Sequence, residues 1–188
     1  MNHSMRPTEP ITDIQLNLHF DLAQRSQKLF WQFLHQGQDL YATTGEATGL
    51  ILFEQASRLH ISLQGCDSRH REQRQLLSDY RVIQAAIVTV PKVLLPPRRG
   101  EIEHYPPSPF DSVETAITPV MFGEPDDQGI AVAAELPPLC KFGYWEMSMY
   151  LTIEIPAAGG KHRPQYRVFR FDPELEVNNG SQTDDPPR

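Results

Sequence analysis

A chain of 188 residues, 39% of them hydrophobic and 22% charged, has material for one ordinary domain with a proper core. No apolar run approaches the roughly 20 residues of a membrane-spanning helix. A net charge of −7 excludes a general nucleic-acid binder, because neutralising phosphates needs clustered Lys and Arg.

The opening "MNHSMRPTEP" lacks the cationic-then-apolar layout of a secretion signal, so residues 1–10 read as a flexible start and the chain as cytoplasmic. In "DIQLNLHF", 13–20, Ile14, Leu16, Leu18 and Phe20 share one face and Asp13, Gln15, Asn17 and His19 the other. That alternation predicts a half-buried strand, starting as early as Ile11.

The next run, "DLAQRSQKLFWQFLHQG", predicts a helix over 22–36. Asp21 and Gln24 have capping-box spacing, and Leu22, Leu29, Phe30 and Phe33 form a stripe broadened by Trp31 and Leu34. Gly37 supplies a left-handed stop. From 39 to 64 the texture turns to short β runs, with Leu59, Ile61 and Leu63 opposing His60, Ser62 and Gln64. "CDSRHREQRQLLSDY" reads either as a short surface helix capped by Ser68 or as an irregular loop.

"RVIQAAIVTV", 81–90, is almost continuously apolar and stops at Pro91, which predicts a strand covered on both faces. Ten of the seventeen prolines fall between Pro91 and Pro138, so that span predicts short strands broken by ordered loops. Two strand candidates lie within it, "VETAITPVMF" and "GIAVAAEL". The clearest pattern follows: Trp145, Met147, Met149, Leu151, Ile153 and Ile155 alternate with Tyr144, Glu146, Ser148, Tyr150, Thr152 and Glu154. After a turn at Gly159 and Gly160, Arg167, Phe169 and Phe171 oppose Tyr166, Val168 and Arg170. The tail, 178–188, has no apolar residue and reads as mobile. The expectation is a single β-rich domain over 11–177: an antiparallel β-sandwich or barrel of seven or more short strands, with one helix and Pro-rich loops.

Chemistry is sparse. The seven histidines, His3, His19, His35, His60, His70, His104 and His162, form no His-x-His or Glu-x-x-His spacing. In "EIEHYPP", Glu101 and Glu103 would share a strand face while His104 pointed away, so one strand cannot offer all three to an ion. If separate strands do build a metal site, His19, His60, His104 and Glu103 are the groups to inspect first. Cys66 and Cys140 are 74 residues apart and outside any Cys-x-x-Cys pair; two buried free thiols rank above one bridge. Cys66 with His70 lacks an orienting acid, and an inert buried cysteine ranks first. Asp126 and Asp127 sit in a Pro-Asp turn rather than a calcium loop. Phosphate-cradle and Gly-x-Ser-x-Gly signatures are missing from the sequence, and no cofactor is expected.

Two surfaces suit partners. Tyr144, Tyr150 and Tyr166 bring amphipathic aromatics to the final hairpin, suiting subunit contact or strand addition. Core filling is the plainer role for the same residues. Arg69, Arg71 and Arg74 form a basic run that would dock an acidic partner, although solvated surface is the commoner role.

"GYWEMSMYLTIEI", the hairpin and "FRFDPELEV" together resemble the ending of PixA/AidA-type bacterial inclusion-body proteins, with "ITDIQLNLHF" in the place of their first strand. The resemblance covers only the two ends; the 22–36 segment and "SRHREQRQ" depart from it. It implies a β-sandwich that self-associates inside bacterial cells, without established chemistry or catalytic residues. The expected function is a non-enzymatic binding or assembly module, homo-oligomeric or docking a protein. The alternative is a barrel that binds a small molecule or metal, or an enzyme whose site is assembled from separate strands.

Overall fold

The structure is a computed structural model that describes residues 13–40, 50–54, 56–68, 75–77, 80–92, 106–125, 131–141, 143–156, 163–171 and 174–178. Strict alternation becomes strand. β1 (Asp13–Asp21) buries Ile14, Leu16, Leu18 and Phe20. β2 (Phe30–His35) and β3 (Gln38–Asp39) form a hairpin, and β4 (Leu50–Glu54) precedes β5 (Arg58–Asp67), which buries Leu59, Ile61 and Leu63. β6 (Gln75–Leu76), β7 (Arg81–Pro91), β8 (Ile117–Pro119) and β9 (Ala131–Glu135) follow. β10 (Gly143–Ile155) sinks Trp145, Met147, Met149, Leu151 and Ile153 completely, while Ile155 is half-buried. β11 (Gln165–Phe171) buries Phe169 and Phe171, and β12 (Glu174–Asn178) closes the order.

Among the described residues two six-stranded sheets result. The first runs β3-β2-β1-β5, with β6 and β9 sharing the far edge of β5. The second runs β4-β12-β10-β7-β8, with β11 beside β12 on the same edge of β10. Neither sheet closes into a barrel among the described residues. The antiparallel expectation needs correction too: β1 pairs β5 in parallel, and so does β12 with β4. A parallel pair requires a long crossover, and the chain between β1 and β5 supplies one by visiting β2, β3 and β4.

The predicted helix over 22–36 is absent. The capping-box contacts form without it: Asp21 N–H donates to Gln24 Oε1 at 3.0 Å and Ala23 N–H to Asp21 Oδ1 at 2.8 Å, closing a tight turn. Residues 27–29 then run along β11, with Leu29 N–H on Arg170 O (2.8 Å) and Arg170 N–H on Gln27 O (2.7 Å). Gln36 and Gly37, at φ 50° and 79°, make the two-residue turn into β3, so the glycine serves a hairpin rather than a helix end. The stripe fits both periods, since Leu29, Trp31 and Phe33 also alternate. Tertiary contact decides: Phe33 stacks edge-on to Phe53 at 5.6 Å, and Trp31 meets Phe171 at 6.2 Å.

Apolar faces of both sheets meet in one core, for instance Phe20 against Phe169 at 5.2 Å. Each such fully buried side chain contributes roughly 1.5–3 kcal/mol. The Pro-rich loop is tied to that core: Trp145 Nε1 donates to Pro106 O (3.0 Å) and Thr89 Oγ1 to Pro107 O (2.8 Å). β7 corrects a further expectation, because only one of its faces is buried. Ala85, Ile87 and Thr89 point inward, whereas Val90 stays 52% exposed. Residues 1–10 and 179–188 lie outside the described residues.

Candidate functional site

The outer face of the second sheet is ordered in rows by strand register. Glu146 lies in register between Glu174 and Val90; Ser148, Val88 and Ile117 form the next row. Then come Arg170, Tyr150, Ala86 and Pro119, followed by Val168, Thr152 and Gln84, and last Tyr166, Glu154 and Arg81. Ile117 is 58% exposed, Val168 47%, Tyr150 44% and Tyr166 60%, so apolar surface runs across four strands. On the outer face of the first sheet Asp13, Gln15, Asn17 and His19 on β1 neighbour Arg58, His60, Ser62 and Gln64 on β5, while β2 adds Phe30, 62% exposed beside His19, and half-buried Leu34 beside Gln15.

Charge is arranged at the margins of the apolar rows. At one end the Glu154 carboxylate accepts from Arg81 Nη2 at 2.7 Å and from Tyr166 Oη at 2.8 Å, which neutralises the pair. The hydrogen bond to Glu154, then burial and the charge of Glu154, push the Tyr166 phenol above its ordinary value. Glu146 and Arg170 are exposed, and among the described residues neither side chain has an ion-pair partner.

Beside the start of β7 lies a cleft of about 860 Å³, lined by Ile83, Val120, Met121, Phe122, Arg81 and Glu124 among others. It opens where the chain leaves β8 and steps to the first sheet, with Val120 N–H on Ala85 O (3.0 Å) and Gly123 N–H on Ala133 O (2.8 Å). A register shift between Thr152 and Ile153 leaves Ile83 as the extra residue of a bulge.

The three tyrosines expected at an interface do share this outer face: Tyr150 and Tyr166 are exposed and Tyr144 is half-buried. Arg69, Arg71 and Arg74 lie outside the described residues, as do His104, Glu103, His70, Asp126 and Asp127. His19 and His60 both face outward on the first sheet, but His60 lies beside Gln15, four residues from His19 along β1. His60 Nε2 meets Asp13 Oδ1 at 3.1 Å over a hollow of about 550 Å³. Among the described residues no three His, Cys, Asp or Glu side chains converge as a metal would require. Cys66 and Cys140 are unbridged; Cys66 is buried with its Sγ 3.4 Å from Phe20 O, whereas Cys140, expected to be buried as well, is only half-buried.

Sequence reasoning missed the open face of β7, where Val90 is exposed and Val88 half-buried. A continuous apolar run was read as doubly covered, and nothing local distinguishes a covered face from an open one. The described residues contain no helix long and apolar enough to cross a membrane.

No family model matches the chain, and no curated protein matches it. The fold is similar to the crystal structure of the inclusion body protein PixA from Burkholderia cenocepacia J2315, over 93% of this chain and 100% of that one. Identity is 10% and the TM-score 0.43. It is the kind of protein that the two ends of the sequence resemble.

Proposed function

We propose that the chain is a non-enzymatic β-sandwich whose work is assembly, self-associating or docking a protein partner through the outer face of its second sheet. One observation carries this reading: Val90, Ile117, Tyr150, Tyr166 and Val168 are exposed together on one sheet face, whereas the outer face of the first sheet is polar along β1 and β5 and, among the described residues, exposes one large apolar side chain, Phe30. Exposed apolar area of that kind, concentrated rather than scattered, characterises contact surfaces. Face contact is favoured over strand addition. On the side of the apolar rows, β8 is an edge strand of three residues, residues 27–29 cover the edge of β11 and a bulge interrupts β7; the longer edge strand β4, of five residues, lies beyond β12. The compartment that fits two unbridged thiols is the cytoplasm.

Sedimentation velocity tests the reading. The wild type is expected as a dimer or larger species, and Val90→Glu with Val168→Glu as a folded monomer. A single 21.4 kDa species for the wild type at high concentration overturns self-association and leaves only the docking of a different protein.

A second reading, a small-molecule binder, is supported by the cleft beside β7, where Met121 is 82% exposed. An environment-sensitive apolar dye should bind there and be lost on Met121→Glu. Equal dye binding by both proteins removes this reading.

A further inference from the structure

Resting on the assembly reading above, we infer that the partner is a second copy of this chain, docked face to face about a twofold axis that pairs Glu146 of each copy with Arg170 of the other. These two residues are opposite in charge, exposed, on the same outer face, and without an ion-pair partner among the described residues. A twofold interface uses one patch twice, so a patch carrying both signs at separate places complements itself.

The register gives the geometry. Arg170 lies one strand across from Tyr150, and Tyr150 is four residues along β10 from Glu146. At ~3.3 Å per residue and ~4.8 Å between strands the two charged positions are about 14 Å apart. An axis lying in the interface and crossing that line at right angles at its midpoint exchanges them. It passes close to Ser148 and across β7 between Val88 and Ala86, so that small and apolar side chains sit nearest the symmetry axis. The same operation sets Tyr150 over the gap between Val88 and Val90 of the partner subunit. Strands of the two copies then cross at about 40°, near the ~30° of aligned sheet packing. Charge pairing and apolar packing are met by one arrangement.

The decisive experiment exchanges the charges. Glu146→Arg and Arg170→Glu, taken singly, place like charges opposite each other at both ends of the interface and should each raise the dimer Kd by about tenfold or more. An equimolar mixture of the two variants restores both pairs, and its heterodimer should approach wild-type affinity. The double variant, carrying both substitutions, should do the same as a homodimer. Glu114→Arg, a charge change of the same size on the Pro-rich loop, controls for net charge and should leave Kd unchanged. If the wild type dimerises but the single variants do so equally well, or their mixture associates no better than either alone, this arrangement is overturned while face assembly stands. A wild type that stays monomeric removes self-association through this face, and this pairing with it.

Discussion

Phe20 and Gly65 face each other across the parallel pair of β1 and β5, and the Phe20 ring occupies the space where a side chain at 65 would begin. A Cβ there would lie 2.9 Å from Phe20 Cε2, nearer still to Cζ, and 3.0 Å from Leu77 Cδ1. The ring has nowhere cheap to go, because Tyr80 meets it edge-on and Phe169 obliquely, each with centroids 5.2 Å away. Gly65→Ala is therefore expected to cost roughly 1–3 kcal/mol by overpacking. Urea unfolding with an unchanged m-value checks it, and adding Phe20→Leu should recover part of the loss. A change under about 0.5 kcal/mol would show that the ring yields freely.

Arg167 holds the chain where a helix was expected. Its Nη1 donates to Leu22 O at 2.9 Å and its Nη2 to Gln24 O at 2.7 Å, while the guanidinium lies 5.0 Å from the Phe169 ring centroid. Arg167→Ala leaves two carbonyls to solvent and should speed amide exchange at Leu22 to Leu29 more than in β10. Arg167→Lys should restore little, because an ammonium lacks the planar two-donor fork. Uniform exchange across both regions would place the effect in global stability instead.

Cys140 is partly exposed yet poorly disposed to react. Burial first, then the charge and hydrogen bond of Asp111, whose Oδ1 is 3.6 Å from Sγ, hold the thiol above its ordinary range. Alkylation at pH 8 should be slow in the wild type and several-fold faster in Asp111→Asn. Cys66, buried, should react only on unfolding. Equal rates for Cys140 in both proteins would dissociate its reactivity from Asp111.

Tyr166 gives a pH signature. Its phenol is raised chiefly by the hydrogen bond to Glu154, so the folded protein retains a proton that the unfolded chain releases. The resulting stabilisation is fully present below the unfolded value of about 10 and is lost as pH climbs through the higher folded value. Ultraviolet titration should show one tyrosine ionising late, and Glu154→Gln should move it down. A titration untouched by that substitution would deny the link.

What the sequence by itself determined was where one sheet face must be apolar. Period-two order placed the inward sets of β1, β5 and β10, because a pleated strand sends successive side chains to opposite sides regardless of its neighbours. It likewise put the hairpin tyrosines on the face opposite Trp145 and Phe169. Three matters were decided only in three dimensions. Residues 22–36 carry a pattern compatible with two periods, and the open edges of β1 and β11 selected the extended one. Parallel pairing of β1 with β5 depends on a crossover that no local window contains. Exposure of Val90, Ile117 and Val168 depends on what covers the second sheet, a property of the whole packing rather than of any segment. Local alternation is a backbone property and can be read along the chain; burial of a given face is a non-local one and cannot.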